Sequence, residues 1–312
     1  MWLRILVTDP VNEAGIKILR SSGFVVDLDY DISYDDLLRK VRNYEGLIVR
    51  SRTKVDRAVI EAGANLLFIG RAGVGLDNID TKFAAERNVQ VLNSPEAPTF
   101  AVAELVFGLI LALVRKIAFC DRLMKAGEWP KKKALSFELR NKTLGIIGFG
   151  RIGREVAKRA RAFDMHIIYY DVVRPSSEVE QSYGVTFSEL NDLLRVSDIV
   201  TLHIPLLAQT YHLLDEQRIS LMKKGAILVN ASRGPVVDTK SLLKHLKSGH
   251  LLGACLDVFE HEPPNEDWER ELVQLDNVVV SPHIGSMTIE AQKAASTILA
   301  EKIVSRFGGK TL

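Results

Sequence analysis

Short apolar runs alternate with helix-period segments along the chain, and the alternation predicts strand and helix by turns. In the first third, runs at 5–8, 25–28, 46–50, 67–71 and 89–92 read as strands. Segments at 13–21, 35–43 and 56–62, and one starting at Thr81, read as the helices between them. Strands joined through helices lie parallel with both faces covered, which puts ligands at the carboxyl ends of the strands. A second series follows from about 139. Strands are expected at 144–147, 166–170, 199–203, 226–230, 253–257 and 278–280, with helices at 187–194, 216–222 and 240–247 among them. Between the two series, 101–127 is too apolar for a one-sided surface helix. It is read as one helix linking two domains and forming part of a homodimer interface. The last segment, 289–307, is amphipathic and is expected to return to the first domain.

The second series opens on a turn with its own chemistry. Gly148-Phe149-Gly150-Arg151-Ile152-Gly153 follows an apolar strand and enters a segment with Ile152, Val156, Ala157 and Ala160 on one face. In a strand–turn–helix unit of this kind the first glycine permits the turn, the second admits a pyrophosphate close to backbone, and the third lets helix and strand pack closely. The helix N-terminus offers N–H groups and partial positive charge to the phosphates. Asp171 ends the next strand, where a carboxylate accepts hydrogen bonds from the adenosine ribose hydroxyls and repels a 2′-phosphate. NAD is therefore expected rather than NADP, with Arg174 the one nearby cation that could soften the preference. The expected fold is α/β, built from two doubly wound parallel-sheet domains. A Rossmann-type NAD-binding domain, 98–286 with 98–127 as linker and dimer helix, is inserted into a flavodoxin-like substrate-binding domain made of 1–97 and 287–312.

A nicotinamide cofactor invites hydride transfer at a carbon bearing oxygen, which needs a group to exchange the hydroxyl proton near neutral pH. His283, after the strand at 278–280, fits that role. Glu262, beyond the strand at 253–257, can hydrogen-bond the other ring nitrogen and favour the imidazolium. Arg233, beyond the strand at 226–230, can hold a substrate carboxylate through paired hydrogen bonds. His203 and His261 are rival histidines, and Glu262 shares an acid-rich loop with Glu260, Glu266, Asp267 and Glu269, where solvated carboxylates are the ordinary case. In the first domain, Arg50-Ser51-Arg52-Thr53 and Gly70-Arg71-Ala72-Gly73-Val74-Gly75 follow strands. The glycines suit either an anion nest or a structural turn.

Composition narrows the field. The formal net charge is +2, which gives no case for a nucleic-acid partner, and Lys131-Lys132-Lys133 is the one basic run. Cys120 and Cys255 stand at no metal-ligand spacing, so no metal is expected, and a reducing cytoplasmic compartment suits them. The N-terminus reads as a strand rather than a signal peptide. The apolar stretch at 102–114 carries Glu104 near its start and is ended by Arg115-Lys116, so no membrane span is expected.

Several stretches in order resemble the D-isomer-specific 2-hydroxyacid dehydrogenases: 47–55, 70–80, 143–157, 203–210, 230–238, 255–264 and 281–288. The resemblance implies Arg233, Glu262 and His283 as the catalytic set, choosing Glu262 by the Glu-Pro-Pro it opens. It implies cofactor contacts from Val74, Arg151, Ile152, Asp171, Ile204, Pro205, Ala231, Ser232, Asp257, His283 and Gly285. It places Arg50, Ser51, Gly73, Val74, Gly75, Asn78 and the 131–133 run near a small phosphorylated substrate, the last across a dimer interface. The stretch 94–100 departs from the family pattern. The chain also stops at Leu312, short of the serine-sensing domain of longer relatives, so serine inhibition is not expected.

Overall fold

The computed structural model describes residues 2–308. It divides into two units, one running to Thr99 and resuming at Ser286, the other spanning Phe100–Gly285.

The first unit is built on β1 (Arg4–Val7), β2 (Val25–Leu28), β3 (Gly46–Val49), β4 (Phe68–Arg71) and β5 (Gln90–Asn93). All pair in parallel in the order β2-β1-β3-β4-β5, a flavodoxin-like order. The two-residue period of a strand divides its apolar side chains between faces. Leu6, Leu47 and Val49 pack with Val59 and Phe83 on one side, while Ile5, Val7 and Ile48 pack with Ile16, Leu299 and Ile303 on the other. Helix Ile289–Phe307 belongs to this unit. It packs so tightly on helix Glu13–Ser21 that a Cβ at Gly15 would lie 2.1 Å from Ser296 Oγ. Phe307 stacks on Phe68 with ring centroids 4.6 Å apart.

The second unit carries β6 (Thr143–Ile147), β7 (His166–Tyr170), β8 (Thr186–Phe187), β9 (Ile199–Leu202), β10 (Ile227–Asn230), β11 (Gly253–Leu256) and β12 (Val278–Val280). The parallel order is β12-β11-β10-β9-β6-β7-β8. Counted from its own first strand this is a 3-2-1-4-5-6 sheet with one strand added, so the order reverses between β6 and β9 and the ligand crevice falls there. Here too the strands alternate. Ile146, Ile199, Ile227, Val229 and Cys255 face one core, and Ile147, Val200, Leu202, Leu228 and Leu256 the other.

Three local expectations are corrected, and one stretch without an expected element gains two. The helix read over 101–127 is two helices, Thr99–Val114 and Ile117–Lys125, separated at Lys116, whose φ of 53° ends the first. The break falls where the buried helix, with Ala103, Val106 and Ile110 sealed off, reaches the charged pair Arg115-Lys116. No residue of the second helix is buried. Two-residue β8 and helix Ser177–Tyr183 occupy a stretch with no strong apolar period. The helix expected at 187–194 runs Leu190–Val196. The acid-rich loop contains helix Asp267–Gln274, started by a capping box in which Glu266 and Glu269 reciprocate.

Candidate active site

The three glycines after β6 do three different things. Gly148 has φ 96° and its N–H donates to Tyr170 O at 2.8 Å, while a Cβ there would meet His203 O at 2.5 Å. At Gly153 a Cβ would lie 2.2 Å from Gly148 O, so the helix Arg151–Ala162 could not seat on the turn. Around Gly150 a Cβ would meet no protein atom within 4 Å, so the requirement there is not the protein's own packing. Gly150 is also the N-cap and supplies no side-chain acceptor to the first turn of the helix. A pyrophosphate fits both facts.

Asp171, just past β7, is positioned by its neighbours: Phe149 N–H donates to Oδ2 at 2.7 Å and Val173 N–H to Oδ1 at 3.0 Å. Arg174 does not pair with it. Its guanidinium forks onto Glu180, Nε to Oε1 at 2.7 Å and a terminal nitrogen to Oε2 at 3.0 Å. Past β9, His203 leads into Ile204, packed at the edge of a core, and exposed Pro205.

The ends of β10, β11 and β12 meet. His283 Nδ1 lies 2.7 Å from Glu262 Oε2, and because an ionised carboxylate has no proton to give, Nδ1 is the donor. That leaves Nε2 as the nitrogen free to exchange a proton. Burial pushes the Glu262 carboxyl up, but the hydrogen bond and charge of His283, the N–H of Phe259 and the charge of Arg233 outweigh it and hold it below the usual range. The same balance locates Arg233 within electrostatic reach of Glu262. A terminal nitrogen of Arg233 donates to Ser232 O at 2.7 Å, and Arg233 O accepts from buried Asn230 at 2.9 Å. Asn230 also takes the N–H and hydroxyl of Ser232 on its oxygen, which fixes the 231–233 turn.

Two residues bring these loops together, and their roles were not apparent from the sequence. A Cβ at Gly234 would lie 1.8 Å from Phe259 O and 2.6 Å from Glu260 N, so only glycine lets the Arg233 turn touch the Glu262 loop. Asp257, buried at 1% exposure, accepts from Ser281 Oγ at 2.6 Å, Ile284 N–H at 2.9 Å and Gly285 N–H at 2.8 Å. It clasps the 281–285 loop, in which His283 takes a left-handed φ of 52° and donates its N–H to Asp257 O.

The rival histidines fall into other settings. His203 is held neutral, its imidazole pushed down to about 3 by burial, with Nε2 3.0 Å from Thr201 Oγ1. His261 does face a carboxylate, Glu269, at 3.2 Å. Glu269 is nevertheless fully buried and accepts the N–H groups of His261, Asn265 and Glu266, so it organises a loop. Glu260 likewise accepts from Thr239 N–H at 3.0 Å and faces His212 at 3.2 Å. Two members of the acid-rich loop are thus committed structural groups, against the expectation that each is a solvated carboxylate.

In the first unit the loop after β3 is organised by Asp9, which sequence reading passed over. Its buried carboxylate accepts from Arg50 N–H at 2.5 Å, Thr53 Oγ1 at 2.7 Å and Arg52 Nε at 3.0 Å. Asn78 is engaged with the same loop, donating to Arg50 O at 2.7 Å and Thr53 O at 2.6 Å. Gly73 has φ 150°, Val74 O accepts from Asn93 at 2.7 Å, and Ser51 is exposed beside Arg50 while Gly75 is partly exposed. Lys131–Lys133 forms an exposed 3-10 turn tied to Lys116 through Lys133 O. Among the described residues no group of three or more ligating side chains could hold a metal ion, and no helix is long and apolar enough to cross a membrane.

The glycine turn, the carboxylate of Asp171 and the His283–Glu262 pair with Arg233 in electrostatic reach all lie at strand ends of the one parallel sheet. Residues 107–285 match the family model described as the NAD binding domain of D-isomer specific 2-hydroxyacid dehydrogenase, and the chain belongs to that family. It is 48% identical over 302 residues to a D-3-phosphoglycerate dehydrogenase of Methanocaldococcus jannaschii, an alignment covering 96% of this chain and 57% of that one. The chain thus spans little more than half the length of that relative. A hydroxypyruvate reductase of Thermotoga maritima is 43% identical over 98% of both chains. Among solved structures, a glyoxylate reductase from Paecilomyes thermophila superposes with TM-score 0.90 at 30% identity, over 99% of this chain and 96% of that one.

Proposed function

We propose that the protein oxidises 3-phospho-D-glycerate to 3-phosphohydroxypyruvate with NAD, the opening step of phosphorylated serine synthesis. The observation that carries the reaction type is the 2.7 Å pair of His283 and Glu262 beside the charge of Arg233. Bound NAD supplies the hydride acceptor. Gly148, Gly150, Gly153, Arg151 and Ile152 hold its pyrophosphate and Asp171 its ribose, with Ile204, Pro205, Ala231, Ser232, Asp257, Gly285 and Val74 proposed as the remaining contacts. As C2 loses its hydride, His283 Nε2 takes the hydroxyl proton, and Glu262 stabilises the imidazolium that results. Arg233 binds the substrate carboxylate in both ground and transition state, so its loss weakens binding as well as rate.

The substrate class rests on the relatives' names and on local cations. Arg50 and Ser51, with Gly73, Val74, Gly75 and Asn78, are the proposed substrate contacts of the first unit, and Lys131 to Lys133 those of a partner copy in a homodimer. A cytoplasmic location goes with this reading. The second reading is a hydroxypyruvate or glyoxylate reductase, favoured by the full-length match to the Thermotoga maritima hydroxypyruvate reductase. An NAD-sensing corepressor is a third, which turnover of any 2-hydroxy acid excludes. Comparing kcat/KM for phosphorylated and unphosphorylated hydroxypyruvate, with NADH and NADPH, tests the assignment. A preference for the phosphorylated acid is expected, and an equal or reversed ratio overturns it.

A further inference from the structure

Around Asp171 lies a charge arrangement that binding an NAD ribose does not require. Arg174 is three residues beyond Asp171, close enough in sequence to serve a 2′-phosphate. Its guanidinium is instead taken at two nitrogens by Glu180, at 2.7 and 3.0 Å, and lies 5.0 Å over the ring of Phe187. Glu180 is not a chance surface partner. Its side chain is only 12% exposed, and its Oε1 also accepts from the hydroxyl of Tyr169 at 2.6 Å. Tyr169 is fully buried on β7, two residues before Asp171, among Phe149 and Phe187. Its phenol is pushed up to about 12, by burial first and then by the hydrogen bond to Glu180, so it remains a donor at any working pH. A buried hydroxyl thus fixes a mostly buried carboxylate, and that carboxylate fixes the one cation nearest Asp171 in the sequence of this turn.

From this geometry we infer that Glu180, anchored by Tyr169, is a specificity-determining residue for the cofactor: it sequesters Arg174 and so denies a 2′-phosphate its cation. The inference rests on the dinucleotide site described above. Asp171 disfavours the phosphate by like charge, and Glu180 disfavours it by occupying the group that could neutralise it. The two act on different charges. Neutralising Asp171 alone therefore leaves the site poor at binding a 2′-phosphate, whereas neutralising both frees an arginine whose fork matches phosphate.

Calorimetric titration with ADP and with 2′,5′-ADP tests this without turnover, on four proteins: wild type, Asp171→Asn, Asp171→Asn/Glu180→Gln, and the latter with Arg174→Ala added. The double variant is expected to bind 2′,5′-ADP about tenfold more tightly than Asp171→Asn does, the scale of one charge-assisted hydrogen bond, with ADP affinity little changed. Arg174→Ala should abolish that gain. Tyr169→Phe in place of Glu180→Gln, which preserves the carboxylate but loosens its anchor, should give a smaller gain of the same sign. No gain in the double variant, or a gain that survives Arg174→Ala, overturns the inference while leaving the site intact if ADP still binds. Failure of the wild type to bind ADP overturns the dinucleotide site itself, and this inference with it.

Discussion

His283 Nδ1 and Glu262 Oε2 lie 2.7 Å apart although their loops leave different strands, β12 and β11. The pair exists because Asp257 clasps one loop and Gly234 lets the other lie against the Arg233 turn. The geometry of the pair depends as much on those supports as on the two residues themselves.

Gly234→Ala should separate them. The added Cβ meets Phe259 O at 1.8 Å, backbone that cannot rotate away, so the two loops must part. A displacement on the order of 1 Å is expected to lower kcat/KM by about 10²-fold. Overpacking should cost about 1–3 kcal/mol in urea unfolding. Wild-type kcat/KM in this variant would show that the contact is idle.

Gly150→Ala should do the reverse. Its Cβ meets no protein atom, so the unfolding free energy should stay within about 0.5 kcal/mol of wild type. Cofactor affinity should fall by about 1–3 kcal/mol, because the methyl intrudes where a pyrophosphate approaches. Titration with NAD and a urea melt on the same preparation check both halves.

Glu262 sets an expectation for pH. Its carboxyl is held below the ordinary 4.5, with burial opposed by His283, Phe259 N–H and Arg233, so the ion persists as pH falls through that value. Loss of activity on acidification above pH 4.5 is then not titration of Glu262, and an acid limb found there should persist in Glu262→Gln. Turnover in that variant should nevertheless fall by about 10²-fold, since the imidazolium loses its partner. A wild-type acid limb above pH 4.5 that disappears in Glu262→Gln would contradict the assignment.

Asp9 is the corresponding case for stability. Burial raises its carboxyl, but the Thr53 hydroxyl, the N–H groups of Arg50 and Thr53, and Arg52 together bring it below the ordinary 3.8. A depressed carboxyl contributes stability that is complete above the unfolded value and is lost as pH falls through the folded one. Asp9→Asn should cost about 2–3 kcal/mol near neutrality, because one of the two oxygens that accept from the 50–53 loop becomes an NH2 donor and the charge beside Arg52 is lost. The gap to wild type should narrow as pH drops below 3.8. A gap that widens in acid would reverse the sign.

What could be read from the chain, and what could not, follows from the range of the forces involved. Strands such as 144–147 and 166–170 and the glycine turn declare themselves within a few residues, because apolar period and missing Cβ atoms are local properties. Arg233, Glu262 and His283 were legible as a set through strand order and family resemblance. The structural roles of Asp9 and Asp257 were not, since their partners are delivered by loops far along the chain, and that of Glu269 was not, since its burial is not a local property. The break at Lys116 was missed for a similar reason: Arg115 and Lys116 are good helix formers with no Gly or Pro beside them, and the change in burial that accompanies the break is not a local property.

The proposed reaction stands on proton exchange at His283, and the most direct measurement is the turnover of His283→Ala in an NADH-linked assay with phosphorylated hydroxypyruvate. Binding of ADP to the variant shows beforehand that it is folded. A loss of about 10²–10⁴-fold in kcat is predicted, the range for an acid–base group. Turnover equal to wild type in a folded His283→Ala protein would contradict the account.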